Sequence, residues 1–491
     1  MRRLAASLSL IAIAGCTVGP VYRPRVAAEL GVPDAYSLPA GRTPEDLTRW
    51  WQRFGDPDLA RLVEQARAAN LDLAQAVGRL RQAREALLQS RSQLLPNVSG
   101  SGGYSRSQPI VGGGSTIILP DGTVSTVGGG GRDSFSLGLD AQYQVGLFGE
   151  VRRTVEASRA EQDAARFDYA AVLVSVTGEV ARNYVLARGL QAQIANARSS
   201  LALQDDNLEI AGFRVRAGLV SSLDVEQARS QRAQTAATIP QLQQQFDAAV
   251  ARLGVLTGQA PGTLRPELAA ARPIPGAPAV GAGIPADVLR QRPDVRAAER
   301  TLAAATARIG VARAQLYPAL AISGSIDSNA VSLTGLVDTI TGSLFAGLTK
   351  AIFNGGRLRS QVRGAEAAAD TALAAYKSTV LAALEDVENA LAALRAAQER
   401  QRQFGIALEA ARNSAILSRT LYRSGLTDFT TLNQQELALL SAQNGLTQAR
   451  ADQATALVSL YAALGGGWDE ATLPDGRPTS ATPNPANTGA R

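Results

Sequence analysis

The sequence predicts a mainly α protomer with a membrane β-barrel portion, built as a tandem duplication. Three observations carry that prediction: an internal repeat, two long proline-free helical stretches, and short segments whose apolar residues alternate with polar ones.

The repeat is the strongest. Arg91-Ser-Gln-Leu-Leu-Pro96 returns as Arg313-Ala-Gln-Leu-Tyr-Pro318, an offset of about 222 residues. Further on, the offset settles at about 207: Arg152 with Arg359, Val155 with Val362, Tyr169 with Tyr376, Val180 with Val387, Arg188 with Arg395 and Gly258 with Gly465. The change of offset falls where the first copy carries the glycine-rich stretch Gln108 to Arg132, a composition that favours neither helix nor strand and reads as a loop insertion.

Each copy reads as short helix, strand, loop, strand, long helix, turn and second helix. Leu59, Leu62, Val63, Ala66 and Ala69 fall at helical spacing, and the pattern continues through Leu71 and Leu80 toward Leu94 until Pro96 stops it. In the second copy the helix is expected from near Pro285 to Pro318. After each proline the period changes to two. Val98, Gly100, Gly102 and Tyr104 alternate with polar or small residues, as do Leu320, Ile322, Gly324 and Ile326, and Phe135, Leu137, Leu139, Ala141, Tyr143 and Val145. A fourth strand is expected from Ser343 to Phe353, with Lys350 interrupting its apolar side and required to snorkel at an interface.

Strands of this length and alternation suit a half-buried soluble sheet or a tilted membrane barrel. A membrane sheet must close, and bacterial barrels need at least about eight strands, so four per chain cannot close alone. Two chains would give eight strands and a lumen filled by side chains, three would give twelve and an aqueous pore, and serine, glycine and asparagine on the polar face favour the wetter option. The stretches from Glu150 to Arg216 and from Arg357 to Ser424 lack proline and predict helices on the order of 100 Å long. A soluble coiled-coil rod would explain the helices but neither the strands nor the N-terminus.

Arg2 and Arg3 precede an apolar run from Leu4 to Ile13 that is too short to span a membrane, followed by Ala14-Gly15-Cys16. This reads as a secretory signal, and its end resembles a lipobox, which implies acylation of Cys16 and, with Thr17 rather than aspartate following, outer-membrane sorting. The chain has no histidine and Cys16 is its only cysteine, so the usual general base, the commonest metal ligand and an internal disulfide are missing. No nucleophile, acid-base or phosphate-loop motif stands out, and no cofactor or metal is expected. The net charge of +6 comes from arginines interspersed with acids on helical stretches, which indicates solvated faces and no nucleic-acid partner.

Cys16-Thr-Val-Gly-Pro20 with Tyr22, Trp50-Trp51, Phe54-Gly-Asp-Pro57, Asn70-Leu-Asp-Leu73, Leu147-Phe-Gly149, Arg292-Pro-Asp-Val-Arg296 and Ile352-Phe-Asn-Gly-Gly356 occur in an order that resembles the TolC-type outer-membrane efflux family, in its acylated NodT-like branch. The resemblance covers the mature chain to about Trp468. It implies a homotrimer with a twelve-stranded barrel in outer-membrane lipid, continued by a periplasmic α-helical barrel. It further implies a periplasmic membrane-fusion adaptor and an inner-membrane pump of the resistance-nodulation-division type as partners, no catalytic site, and export of small toxic compounds such as drugs, dyes, detergents or metals. A type I protein-secretion channel is the alternative within transport, and a structural periplasmic lipoprotein the alternative outside it.

By the same resemblance, Ala217-Gly218-Leu219 and Ser424-Gly425-Leu426 are helix tips that an adaptor docks against. Asp224, Tyr422, Thr431, Leu432 and Gln434 belong to a periplasmic gate, with Leu432 as the constriction. Relatives often carry an acid where this chain has Gln434, so an acidic ring is in doubt. The expected divisions are 1–15 signal peptide, 16–57 lipidated N-terminal segment, 58–258 first repeat, 259–284 Pro/Gly-rich linker, 285–467 second repeat and 468–491 disordered tail.

Overall fold

A computed structural model of the chain describes residues 17–37, 46–108, 110, 115–120, 122–127, 131–278 and 291–477. The signal sequence, Cys16, the expected helix start near Pro285 and the tail beyond 477 lie outside the described residues.

The elements repeat with fixed offsets. In the first copy, α1 (Pro57–Ala69) and α2 (Leu71–Ser92) precede β1 (Asn97–Ser107), a small hairpin β2 (Ser115–Ile118) and β3 (Val124–Val127), and β4 (Arg132–Val145). Helices α3 (Glu150–Arg216) and α4 (Ser222–Leu256) complete the copy, and the four-residue α5 (Arg265–Leu268) follows. The second copy has α6 (Pro293–Ala314), β5 (Ala319–Ala330), β6 (Thr341–Thr349), α7 (Arg357–Arg423) and α8 (Phe429–Ala463). Helices α2 and α6 are both 22 residues long, α3 and α7 both 67, and α4 and α8 both 35. Equal lengths at constant offsets are what a duplication without gaps in its helices produces.

The chain forms two compact units. One unit holds residues 83–162 and 301–373 together with the N-terminal segment to Arg23. Its sheet has the antiparallel order β1-β4-β5-β6, so the β4–β5 pair joins the two copies, while β1 and β6 are edge strands whose outer sides pair with no strand among the described residues. Register puts like with like. Val98, Ala141, Gly324 and Leu344 lie in one row across the sheet, and Val145, Leu320 and Leu348 in another. On the opposite face Ser99, Asp140, Ser325 and Ser343 align, with the Ser325 and Ser343 hydroxyls 2.8 Å apart. Phe345 is the exception on this polar face; its ring covers Gly347 two residues on, where a Cβ would meet ring atoms at 2.6 Å. No helix among the described residues is long and apolar enough to cross a membrane.

The other unit has the larger core. Trp50, Trp51, Phe54, Leu59, Leu62, Val63 and Ala66 pack against α3 from Phe167 to Ile194, the end of α4 and the end of α8. Trp50 stacks on Tyr461 at 5.1 Å, and Trp51 and Phe54 meet it edge-on.

Three expectations are corrected. The first helix does not run unbroken to Leu94: Asn70 adopts an extended backbone between α1 and α2. Its side-chain oxygen accepts from the Asp72 and Leu73 N–H groups and caps α2, while its amide donates to the Leu256 carbonyl at 2.9 Å. Asn70→Ala is therefore expected to lower stability by about 1–2 kcal/mol, measurable as a lower heat-denaturation midpoint of the purified protein. The glycine-rich stretch is not all loop, because Ser115–Ile118 and Val124–Val127 pair within it around Gly122, which has φ +80°. The fourth strand ends at Thr349, so Lys350 and Ile352 follow it and no cation interrupts its apolar side.

Candidate functional site

Helices α3 and α7 end in the same turn. The Leu219 N–H donates to the Arg214 carbonyl and the Gly218 N–H to Val215; Leu426 and Gly425 do the same to Leu421 and Tyr422. Gly218 and Gly425 take φ of +71° and +76°, which closes this cap. Around Gly218 an added Cβ meets nothing within 4 Å, so backbone conformation alone selects glycine there. Gly218→Ala and Gly425→Ala should each cost about 1 kcal/mol of local stability, seen as faster amide exchange confined to the two turns.

Ser221 caps α4 through the Leu223 N–H, and Asp428 caps α8 through the Thr431 N–H at 2.7 Å. The Thr431 backbone and hydroxyl bonds hold the Asp428 carboxyl below its usual range. At the tips Leu219 and Leu426 are 69% and 75% exposed, and Ala217 and Ser424 complete the turns. The two tips thus present exposed leucines on capped turns.

Behind the tips, Tyr422 is buried with Ala228, Phe429 and Leu432. Its ring meets Phe429 edge-on at 6.0 Å and lies 4.7 Å below the Arg214 guanidinium, which also donates to the Tyr422 carbonyl at 3.0 Å. The Tyr422 hydroxyl has no hydrogen-bond partner among the described residues. Burial raises its pKa, the Arg214 charge opposes that and the nearby Asp224 charge reinforces it. Asp224 is partly buried in the first turn of α4, Thr431 is partly buried, and Gln434 is exposed. Leu432, expected at a lumen constriction, has no exposed surface. It packs with Phe429 and Tyr422, because the helical period puts it on the side of α8 that faces them.

One residue of this region escaped the sequence reading. Glu436 is almost fully buried and accepts from the Arg419 guanidinium at 2.6 Å and the Asn207 amide at 2.7 Å. One carboxylate thereby ties α8 to α7 and to α3. It lies on the side of α8 that also carries Leu432, four residues earlier, and that i, i+4 relation was the available signal.

The short motifs have structural roles. In Phe54-Gly-Asp-Pro57, Gly55 has φ +64°, Asp56 caps α1 and accepts from the Tyr184 hydroxyl at 2.8 Å, and Pro57 occupies the first helical position. Burial first, and the Asp56 charge after it, raise the Tyr184 pKa against the pull of Arg188. In Arg292-Pro-Asp-Val-Arg296, Arg292 forks onto Asp294 and reaches Asp386 at 2.8 Å and the Ala463 carbonyl at 3.2 Å. Arg296 lies 4.1 Å over the Phe167 ring and pairs with Glu470. Arg292, Asp294 and Asp386 also line a cavity of about 640 Å³ with Ser175, Arg182 and Asp452. No cluster of metal-ligating side chains occurs among the described residues.

These features can be set beside known proteins. The chain is 33% identical over 421 residues to the pyoverdine export outer membrane protein OpmQ of Pseudomonas putida, covering 86% of this chain and 88% of that one. It is 32% identical over 462 residues to nodulation protein T of Rhizobium leguminosarum bv. trifolii, covering 93% and 96%. Its fold superposes on the outer-membrane channel OprN with a TM-score of 0.81 at 34% identity, covering 92% of this chain and all of the other. The MtrE outer membrane channel of Neisseria gonorrhoeae in its open state gives a TM-score of 0.79 at 25% identity. Residues 62–259 and 284–466, one span for each copy, match the outer membrane efflux protein family, and the chain belongs to that family.

Proposed function

We propose that three copies of this chain close a twelve-stranded barrel in the outer membrane and form, with their helices, a passive conduit for small toxic compounds. The observation that carries this reading is the open sheet. Four strands with an apolar face, a polar face and two unpaired edges cannot rest in lipid, whereas three such sheets joined β6 to β1 leave no edge. The serine-rich face then lines a wet lumen. OpmQ is named for pyoverdine export, and other relatives for toluene and solvent efflux pumps, which supports export as the activity here.

The energy comes from an inner-membrane pump of the resistance-nodulation-division type, joined to the channel by a periplasmic adaptor. The exposed leucines on the capped turns at Ala217-Gly218-Leu219 and Ser424-Gly425-Leu426 are the docking points, since rigid apolar knobs lose little entropy on association. The closed gate is held by Arg214 on Tyr422, with Asp224 beside it and Leu432 packed behind, and Thr431 and Gln434 are the neighbouring polar groups of α8. Cys16 carries the lipid that anchors the N-terminus in the inner leaflet of the same membrane.

Replacing Leu219 and Leu426 together with aspartate tests the docking role. Exposed positions tolerate the change, so oligomer yield and single-channel conductance should stay as in the wild type. Export in cells should fall to the level of a strain lacking the channel. Undiminished export would remove the tips from the coupling interface.

A further inference from the structure

The first described residues are threaded through a seat made by glycine. The Val18 N–H donates to the Phe148 carbonyl at 3.3 Å, and the Arg153 guanidinium donates to the Gly19 carbonyl at 3.3 Å. Tyr22 packs against Ala160, Ala303 and Ala304. A Cβ on Gly149 would meet Thr17 Cγ2 at 2.5 Å, and one on Gly19 would meet Gly310 Cα at 2.5 Å. Gly149 and Gly19 also hold φ of +84° and +103°.

Gly310 stands inside α6, where glycine costs roughly 1 kcal/mol relative to alanine, and a Cβ there would strike Cγ and Cδ of Arg153 at 2.9 Å. The arginine held back by Gly310 is the one that grips the strap. A flexible leash needs no such close backbone approach, because leashes are polar, exposed and unseated.

The seat has a definite level. Val145 ends β4 and Gly149 stands four residues later, at the turn into α3. Thr17, the residue packed on Gly149, directly follows Cys16 in the sequence. Membrane strands end at headgroup level, so a lipid on Cys16 enters the leaflet where β4 leaves it.

We propose that Gly149, Arg153 and Gly310 form a docking seat for the segment Thr17 to Tyr22 that fixes the lipid anchor at the end of β4. The lipid is then part of the barrel rim, and it holds the sheet at the membrane surface while copies assemble. This rests on the reading of Cys16 as acylated.

The test uses the full-length protein. Four residues, Thr-Gly-Ser-Gly, are inserted between Cys16 and Thr17, which leaves threonine after the cysteine, and the same four between Pro24 and Arg25, beyond the strap. The first insertion should reduce the fraction recovered as heat-resistant oligomer in outer membranes severalfold, and the second should leave it unchanged. Equal effects, or none from the first, would overturn the anchoring role.

The seat itself is read from amide exchange at Val18, expected to be slow in the wild type and in Cys16→Ser, and faster by roughly tenfold or more in Gly310→Val and Gly19→Ala. Gly19→Ala changes no helical residue, so a folding failure of the helix variant does not blur the result. Free exchange at Val18 in the wild type would overturn the seat. Labelling with a palmitate analogue is scored in every variant: a wild type without label overturns the lipid reading and the anchoring role, while Val18 still decides the seat.

Discussion

Glu436→Ala is expected to destabilise the closed helix ends by on the order of 2–3 kcal/mol and to raise the resting leak through the channel. The substitution leaves Asn207 buried without its acceptor and Arg419 without its counter-ion. Removing one partner of a buried charge pair typically costs about 3–5 kcal/mol, and the lower figure applies because Arg419 keeps a quarter of its side chain in solvent. The bond network spans α3, α7 and α8, so its loss removes one of the ties between the two copies' helices at the proposed gate and leaves the Arg214 contacts with Tyr422. Glu436→Gln keeps an acceptor for Asn207 and loses the charge, and a smaller leak is expected. Single-channel recording in planar bilayers reads both; a wild-type leak in Glu436→Ala would show that these helices are held by other contacts.

Trp50→Ala should have the largest effect on stability, about 3–5 kcal/mol. It deletes the stack on Tyr461 and two edge contacts, with Trp51 and Phe54, from a site that has almost no solvent access. Trp50→Phe should recover most of that loss, because the indole N–H of Trp50 has no hydrogen-bond partner among the described residues and its removal leaves no acceptor stranded. Heat-denaturation midpoints of the purified wild type and both variants check the order.

Much of the fold was legible because duplication supplies its own control. The 207-residue offset predicts the second pair of long helices from the first, and α7 and α8 begin and end where α3 and α4 require. Strand alternation was equally plain in β4, where six apolar residues share a face. What was missed depends on contacts across the chain. Asn70 breaks a helical pattern because its oxygen caps α2, a local signal that the apolar spacing outweighed, while its amide finds the Leu256 carbonyl, 186 residues away, which nothing local announces. The family resemblance makes Leu432 a gate residue, and its packing with Tyr422 and Phe429 became visible only with α7 beside α8. Glu436 looks like one more surface acid until Asn207 arrives from 229 positions earlier. The short motifs gave the family, but their physics, capping by Asp56 and bridging by Arg292, became visible only with Tyr184 and Asp386 beside them.

The proposed barrel requires this sheet to close only with copies of itself. Native mass measurement of the detergent-extracted chain should therefore give a single species of three chains, and a monomer or a closed dimer would exclude the barrel.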